Sequence, residues 1–123
     1  MNALALFAAV VSVGCAARGV ESCSADASWP VSPKSLIRRV EVDAIPSEVM
    51  NSESYRDLLG EPRDALQKWI DDQVADFRRK LAPGDQVWFY REEKCDHCGW
   101  YREGYLGVRG CAVVAELNTL EDM

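Results

Sequence analysis

The stretch from Pro62 to Asp85 limits the fold more than any other: Leu66, Trp69, Ile70, Val74, Phe77 and Leu81 recur at three- and four-residue steps. Asp64, Lys68, Asp71, Asp72, Arg78 and Arg79 fill most of the positions between them. That period is one face of an α-helix, so the spacing predicts a helix of about twenty residues with a single buried stripe. Pro62 is tolerated in a first turn, and "APGD" closes the last one. Acidic residues come early and Arg78, Arg79 and Lys80 late, which suits the helix dipole.

A buried stripe needs a cover, and the residues that follow supply it. In "QVWFYR", Val87, Phe89 and Arg91 alternate with Trp88 and Tyr90, the pattern of a strand with large side chains on both faces. A loop of about twelve residues is expected next. Then come "GYLGV" and "CAVVAEL", two further strands joined at Arg109-Gly110, where glycine supplies the positive φ of a two-residue turn. "NTLEDM" reads as a polar tail. Upstream, "SLIRRVEVD" places Leu36, Val40 and Val42 on one face at period two, as a strand or extended arm. "IPSEVMNSESYRDLLG" predicts a short helix that begins near Ser47, capped by its hydroxyl, and ends at Gly60. The expected fold is α+β: amphipathic helices packed on a small three-stranded antiparallel sheet, which the 36–42 arm can join.

The first seventeen residues, "MNALALFAAVVSVGCAA", carry no charge and hold an apolar run from Ala3 to Val13. Eleven residues are too few to span a bilayer as a helix but fit the apolar core of a signal peptide. "SVGC" resembles the site at which bacterial lipoprotein precursors are cleaved before a cysteine that becomes lipidated, with Gly14 in place before Cys15 and Ser12 where leucine is usual. Residues 1–17 are therefore expected to be a signal peptide cut before Cys15, with lipid on that cysteine. The alternatives are cleavage after Ala17, giving a soluble periplasmic or secreted protein, and a cytosolic chain with an apolar N-terminal helix. Residues 18–34, rich in Ser and Ala with two prolines, read as a flexible tether. Residues 35–123 are then one domain. A net charge of −6, with no basic stripe along a helix, argues against a nucleic-acid partner.

Once Cys15 is lipidated or removed, Cys23, Cys95, Cys98 and Cys111 remain, an even number suited to a disulfide-permissive compartment. "CDHCG" has the Cys-x2-Cys form of a zinc knuckle, and His97 or Cys111 would be a further ligand, but a structural site needs four and no second pair exists. If the three strands run up, down and up, Cys111 lies at the opposite end of the sheet from Cys95 and Cys98. Four or five residues of strand separate them by roughly 15 Å, beyond the reach of one ion or one bridge. The expected pairs are Cys95 with Cys98 and Cys23 with Cys111. Lys94 and Arg91 favour a thiolate at Cys95, so thiol-disulfide exchange is the main catalytic alternative. Working exchangers, however, place such a pair at a helix N-terminus.

"GDQVWFY", followed by "EGYLGVRG" and a Val-rich strand, resembles a set of small uncharacterised bacterial proteins. These carry Gly-Asp-Glu-Leu-Trp-x-Phe and then Gly-Tyr-x-x-Val-Arg. The matching positions are Gly84, Asp85, Trp88, Gly104, Tyr105, Val108 and Arg109, within about the last forty residues. The resemblance implies a helix followed by a three-stranded sheet and brings no activity.

The functional expectation is an exported, lipid-anchored bacterial envelope protein facing the periplasm, a non-enzymatic binding or structural module with no cofactor. Its partners would be the membrane, through the lipid, and an envelope protein or glycan. Trp88, Tyr90, Trp100, Tyr101 and Tyr105 are the candidate binding surface, since aromatics on the sheet face away from the helices would be exposed. An envelope thiol-disulfide oxidoreductase using Cys95 and Cys98, and a zinc-binding protein, are the alternatives.

Overall fold

The computed structural model describes residues 20, 23–26, 28–52, 63–93 and 101–121. Four strands, β1 (Leu36–Arg39), β2 (Gln86–Glu93), β3 (Tyr101–Arg109) and β4 (Ala112–Glu121), form one antiparallel sheet in chain order. Two α-helices, α1 (Ile45–Asn51) and α2 (Arg63–Arg79), are described alongside them. The class is α+β as expected, but the sheet has four strands, not three. The 36–42 arm is responsible: Leu36, Arg38 and Arg39 pair with Tyr90, Phe89 and Trp88, satisfying the backbone edge that β2 would otherwise leave open.

A bulge explains why the arm's pattern misled. Two residues of β1 advance against one of β2 between Leu36 and Arg38, so Ile37 is the extra residue and every side chain after it changes face. Leu36 packs on the sheet face away from the helices, whereas Val40 and Val42 pack toward them. Strand pairing also extends the C-terminal meander beyond the expected limits. β2 continues to Glu93 and β3 begins at Tyr101, with Arg91 opposite Glu103 and Glu92 opposite Arg102 as complementary cross-strand pairs. The expected polar tail is the last part of β4 up to Glu121. The turn between β3 and β4 is Gly110-Cys111, one residue later than expected, with Gly110 at φ +62°.

The helix stripe forms as predicted, only narrower. Ile70, Val74 and Phe77 are buried, with Leu66 and Leu81 half-buried beside them, against Val87, Phe89, Tyr105, Ala115 and Leu117 of the sheet. Trp69 is 39% exposed. At about 100° per residue it lies roughly 100° from the centre of the stripe, on the flank of the helix. α1 begins at Ile45, with Pro46 in its first turn, rather than near Ser47, and buries Ile45, Val49 and Met50 in the same core. Ser52 closes it by donating its hydroxyl to the Val49 carbonyl at 2.9 Å. The rest of the expected helix, residues 53–60, lies outside the described residues. In the loop after α2, Asp85 donates its amide to the Ala82 carbonyl at 3.1 Å, and Gly84 sits at φ +92°, the backbone that a Pro-Gly turn of this kind demands.

Candidate functional site

The face of the sheet expected to be open is covered. Tyr90, Leu106 and Val108, with Leu36, Trp88 and Val113 at their margins, pack against Val20, Cys23, Trp29 and Val31. Those four residues come from the segment expected as a tether, and all four are buried. The segment can be followed across the sheet by its hydrogen bonds. At the β3–β4 turn Cys23 is joined to Cys111 by a disulfide, with a Cα separation of 5.3 Å. Trp29 donates its indole N–H to the Cys111 carbonyl at 2.9 Å, and the Val113 amide donates to the Ser28 hydroxyl at 3.2 Å. Farther along, Arg102 donates to the Pro30 carbonyl at 3.3 Å, and the Ser32 amide donates to Glu92 at 3.3 Å. The chain then turns into β1. Burying a side chain such as Val20, Trp29 or Val31 contributes about 1.5–3 kcal/mol each, so apolar contact and the bridge hold the segment together.

This arrangement divides the five aromatics proposed as one binding surface. Tyr90, at 0% exposure, lies under the N-terminal segment, and Tyr105, at 2%, lies in the helix-side core on the opposite face. Trp88 is half-buried, its indole N–H donated to Gln86 at 3.0 Å. Tyr101 opens β3, but its side chain and all of Trp100 lie outside the described residues. Tyr90 and Tyr105 are thus core residues on two sides of one sheet. The residue that could have shown this is Trp29: a large aromatic within a Ser/Pro stretch, near a cysteine in need of a partner, is a poor tether residue and a good anchor.

A polar cluster that the sequence did not reveal lies between β1, α1 and β3. Glu48 accepts two hydrogen bonds from Arg38, at 2.7 and 3.1 Å, and one from the Tyr105 hydroxyl at 3.0 Å. The Arg38 guanidinium lies over the Phe89 ring at 5.0 Å, and Arg91 reaches Glu103 at 3.5 Å. The hydrogen bonds from Arg38 hold the Glu48 carboxyl below the usual range, and burial raises the Tyr105 hydroxyl well above its own. A general acid or base working near neutrality needs the opposite, a value brought toward 7. The recess that Arg38, Glu48, Phe89 and Tyr105 line, with Ser52 and Thr119, is about 80 Å³. Pockets for organic ligands are several times larger. The cluster therefore suits fastening β1 and α1 to β3 better than it suits chemistry.

A second fastening carries the positions on which the family resemblance rests. Arg109 grips Asp85 with two hydrogen bonds of 2.9 Å, and the Ala82 amide donates to the same carboxylate at 2.7 Å. The Asp85 side chain is 3% exposed, and the guanidinium holds its carboxyl below the ordinary value. The pair locks the α2–β2 turn to the start of the β3–β4 turn. Gly104 is needed for close approach: a Cβ there would lie 2.2 Å from the Leu117 carbonyl oxygen and 2.8 Å from the Tyr90 hydroxyl. Gly84, Asp85, Gly104, Tyr105 and Arg109 thus have structural work in this chain.

Cys15, Cys95, His97 and Cys98 lie outside the described residues. Cys111, a candidate zinc ligand from its sequence position, is committed to Cys23. Among the described residues no helix is long and apolar enough to cross a membrane, and no group of three or more His, Cys, Asp or Glu side chains is placed to hold a metal. Comparison with protein-family models, curated proteins and solved structures gives no match.

Proposed function

We propose that the chain is an exported protein of the bacterial cell envelope, anchored by lipid on Cys15, and that it acts as a binding or structural module, not a catalyst. The observation that carries this reading is the Cys23–Cys111 disulfide, which joins residues 88 apart in sequence. Such a bridge persists where thiols are kept oxidised, as in the periplasm, and rarely in a reducing cytosol. The two fastenings support the second part of the reading. Glu48 and Asp85, with the arginines that hold them, are engaged in joining elements, at values unsuited to proton transfer near neutrality.

The experiment is fractionation of the native host expressing the natural chain or Cys15→Ser. The natural chain is expected in the membrane fraction, incorporating a labelled fatty acid, and the variant without label in the soluble or precursor pool. Equal fractionation and no label on either chain would contradict the anchored reading.

A further inference from the structure

The described fold places the body of this protein much closer to its anchor than a tether of residues 18–34 would. We infer that the lipidated chain is seated directly against the bilayer, with its β3–β4 turn toward the lipid and the opposite end of the sheet facing outward; this rests on the anchoring of Cys15 proposed above. Chain length limits the distance between the anchor and the fold. Val20 is already buried in the fold, and only five peptide steps separate it from Cys15. At most about 3.6 Å per residue, those steps span no more than roughly 18 Å whatever conformation they adopt. A tether running to Lys34, nineteen steps from Cys15, would instead have let the domain stand up to about 68 Å away.

The place where the anchor enters the fold sets the orientation. The Cys23 amide donates to the Val20 carbonyl at 3.2 Å, and Cys23 is bridged to Cys111 in the β3–β4 turn. The anchored end of the domain is therefore the end that holds Arg109, Gly110, Cys111 and the Asp85 turn. β3 runs from that end to Tyr101 over nine residues, about 26 Å. Glu93 and Tyr101, which pair at its far end, are held away from the attachment point by a sheet that cannot fold back. Residues 94–100, with Cys95, His97 and Cys98, connect those two outward positions. The disulfide keeps the geometry fixed, since without it only noncovalent contact would stop Cys23 leaving the turn.

The inference is tested on the full lipidated chain in vesicles of phosphatidylethanolamine and phosphatidylglycerol that carry an energy-transfer acceptor on the lipid headgroups. A donor dye is placed through a click-reactive residue at Ala112 in one preparation and at Glu93 in another, both exposed. Transfer from position 112 is expected to be several-fold stronger than from 93. A twenty-residue Gly/Ser insertion after Ala17, a spacer of about 25 Å, is expected to weaken transfer at 112 and largely remove the difference. Equal transfer from both positions without the insertion, or stronger transfer from 93, would overturn the seating. Each preparation is first checked by intact mass. A chain without lipid on Cys15 would overturn the anchoring and the seating together. A lipidated chain with no gradient would overturn the seating alone.

Discussion

The indole of Trp29 donates a hydrogen bond to the carbonyl of Cys111 at 2.9 Å, across 82 residues of chain. One turn of the sheet therefore holds the N-terminal segment twice, by this bond and by the Cys23–Cys111 bridge, and closes the outer face over Tyr90, Leu106 and Val108.

Opening the bridge should cost stability that grows with the logarithm of the loop it closes. Cys23→Ser is expected to lower the unfolding free energy by about 4 kcal/mol on chain-entropy grounds. Denaturant titration without reductant measures it, and reduction of the natural chain should reproduce the loss. A variant that unfolds at the same denaturant concentration as the parent would show that the bridge does not hold the segment.

Trp29→Ala removes a buried indole and its hydrogen bond, with an expected loss of about 3 kcal/mol. Because Trp29 and Cys23 secure the same segment, the double variant should lose less than the sum, by about 1 kcal/mol or more. Strict additivity in a double-mutant cycle would mean that the two act on separate parts of the fold.

Two glycines should respond differently to the same change. Gly104→Ala forces a methyl to within 2.2 Å of the Leu117 carbonyl oxygen, so backbone must shift, at an expected cost of about 3 kcal/mol or more. At Gly110 the space is open and only the positive φ is strained, so Gly110→Ala should cost about 1 kcal/mol. Thermal melts of both variants decide the order.

The dependence on pH follows from the two fastenings. Glu48 and Asp85 have folded values below their ordinary 4.5 and 3.8. The stability they contribute is complete above those ordinary values and is lost as pH falls through the folded ones. Tyr105 is shifted the other way, above its ordinary 10.0, so its contribution is complete below pH 10 and is lost as pH rises beyond it. Unfolding midpoints should therefore be level near neutrality and fall on both sides. Asp85→Asn should flatten part of the acid limb and Tyr105→Phe part of the alkaline limb; an unchanged limb in either variant would show that the group is not responsible.

Much of this architecture was legible in the chain. The period of Leu66, Ile70, Val74, Phe77 and Leu81 placed α2, and the alternation through Val87 and Tyr90 placed β2, because each pattern reports burial directly. Up-and-down topology gave the Cys23–Cys111 pairing by distance alone. The fourth strand was ambiguous because the Ile37 bulge breaks its alternation, and bulges are set by pairing with a neighbour, not by local sequence. The covered face escaped for a related reason: Val20, Trp29 and Val31 have no period, and their burial depends on Leu106 and Val108, far along the chain. The Glu48 and Asp85 pairs join elements 10 and 24 residues apart and leave no pattern in one sequence.

The most direct test of the account is the intact mass of the protein taken from its native host's membranes without reductant, followed by mapping of its bridged peptides. The account predicts a chain that begins at an acylated Cys15 and a peptide pair linked through Cys23 and Cys111. An unprocessed chain with free thiols at Cys23 and Cys111 would contradict both the export and the closed outer face.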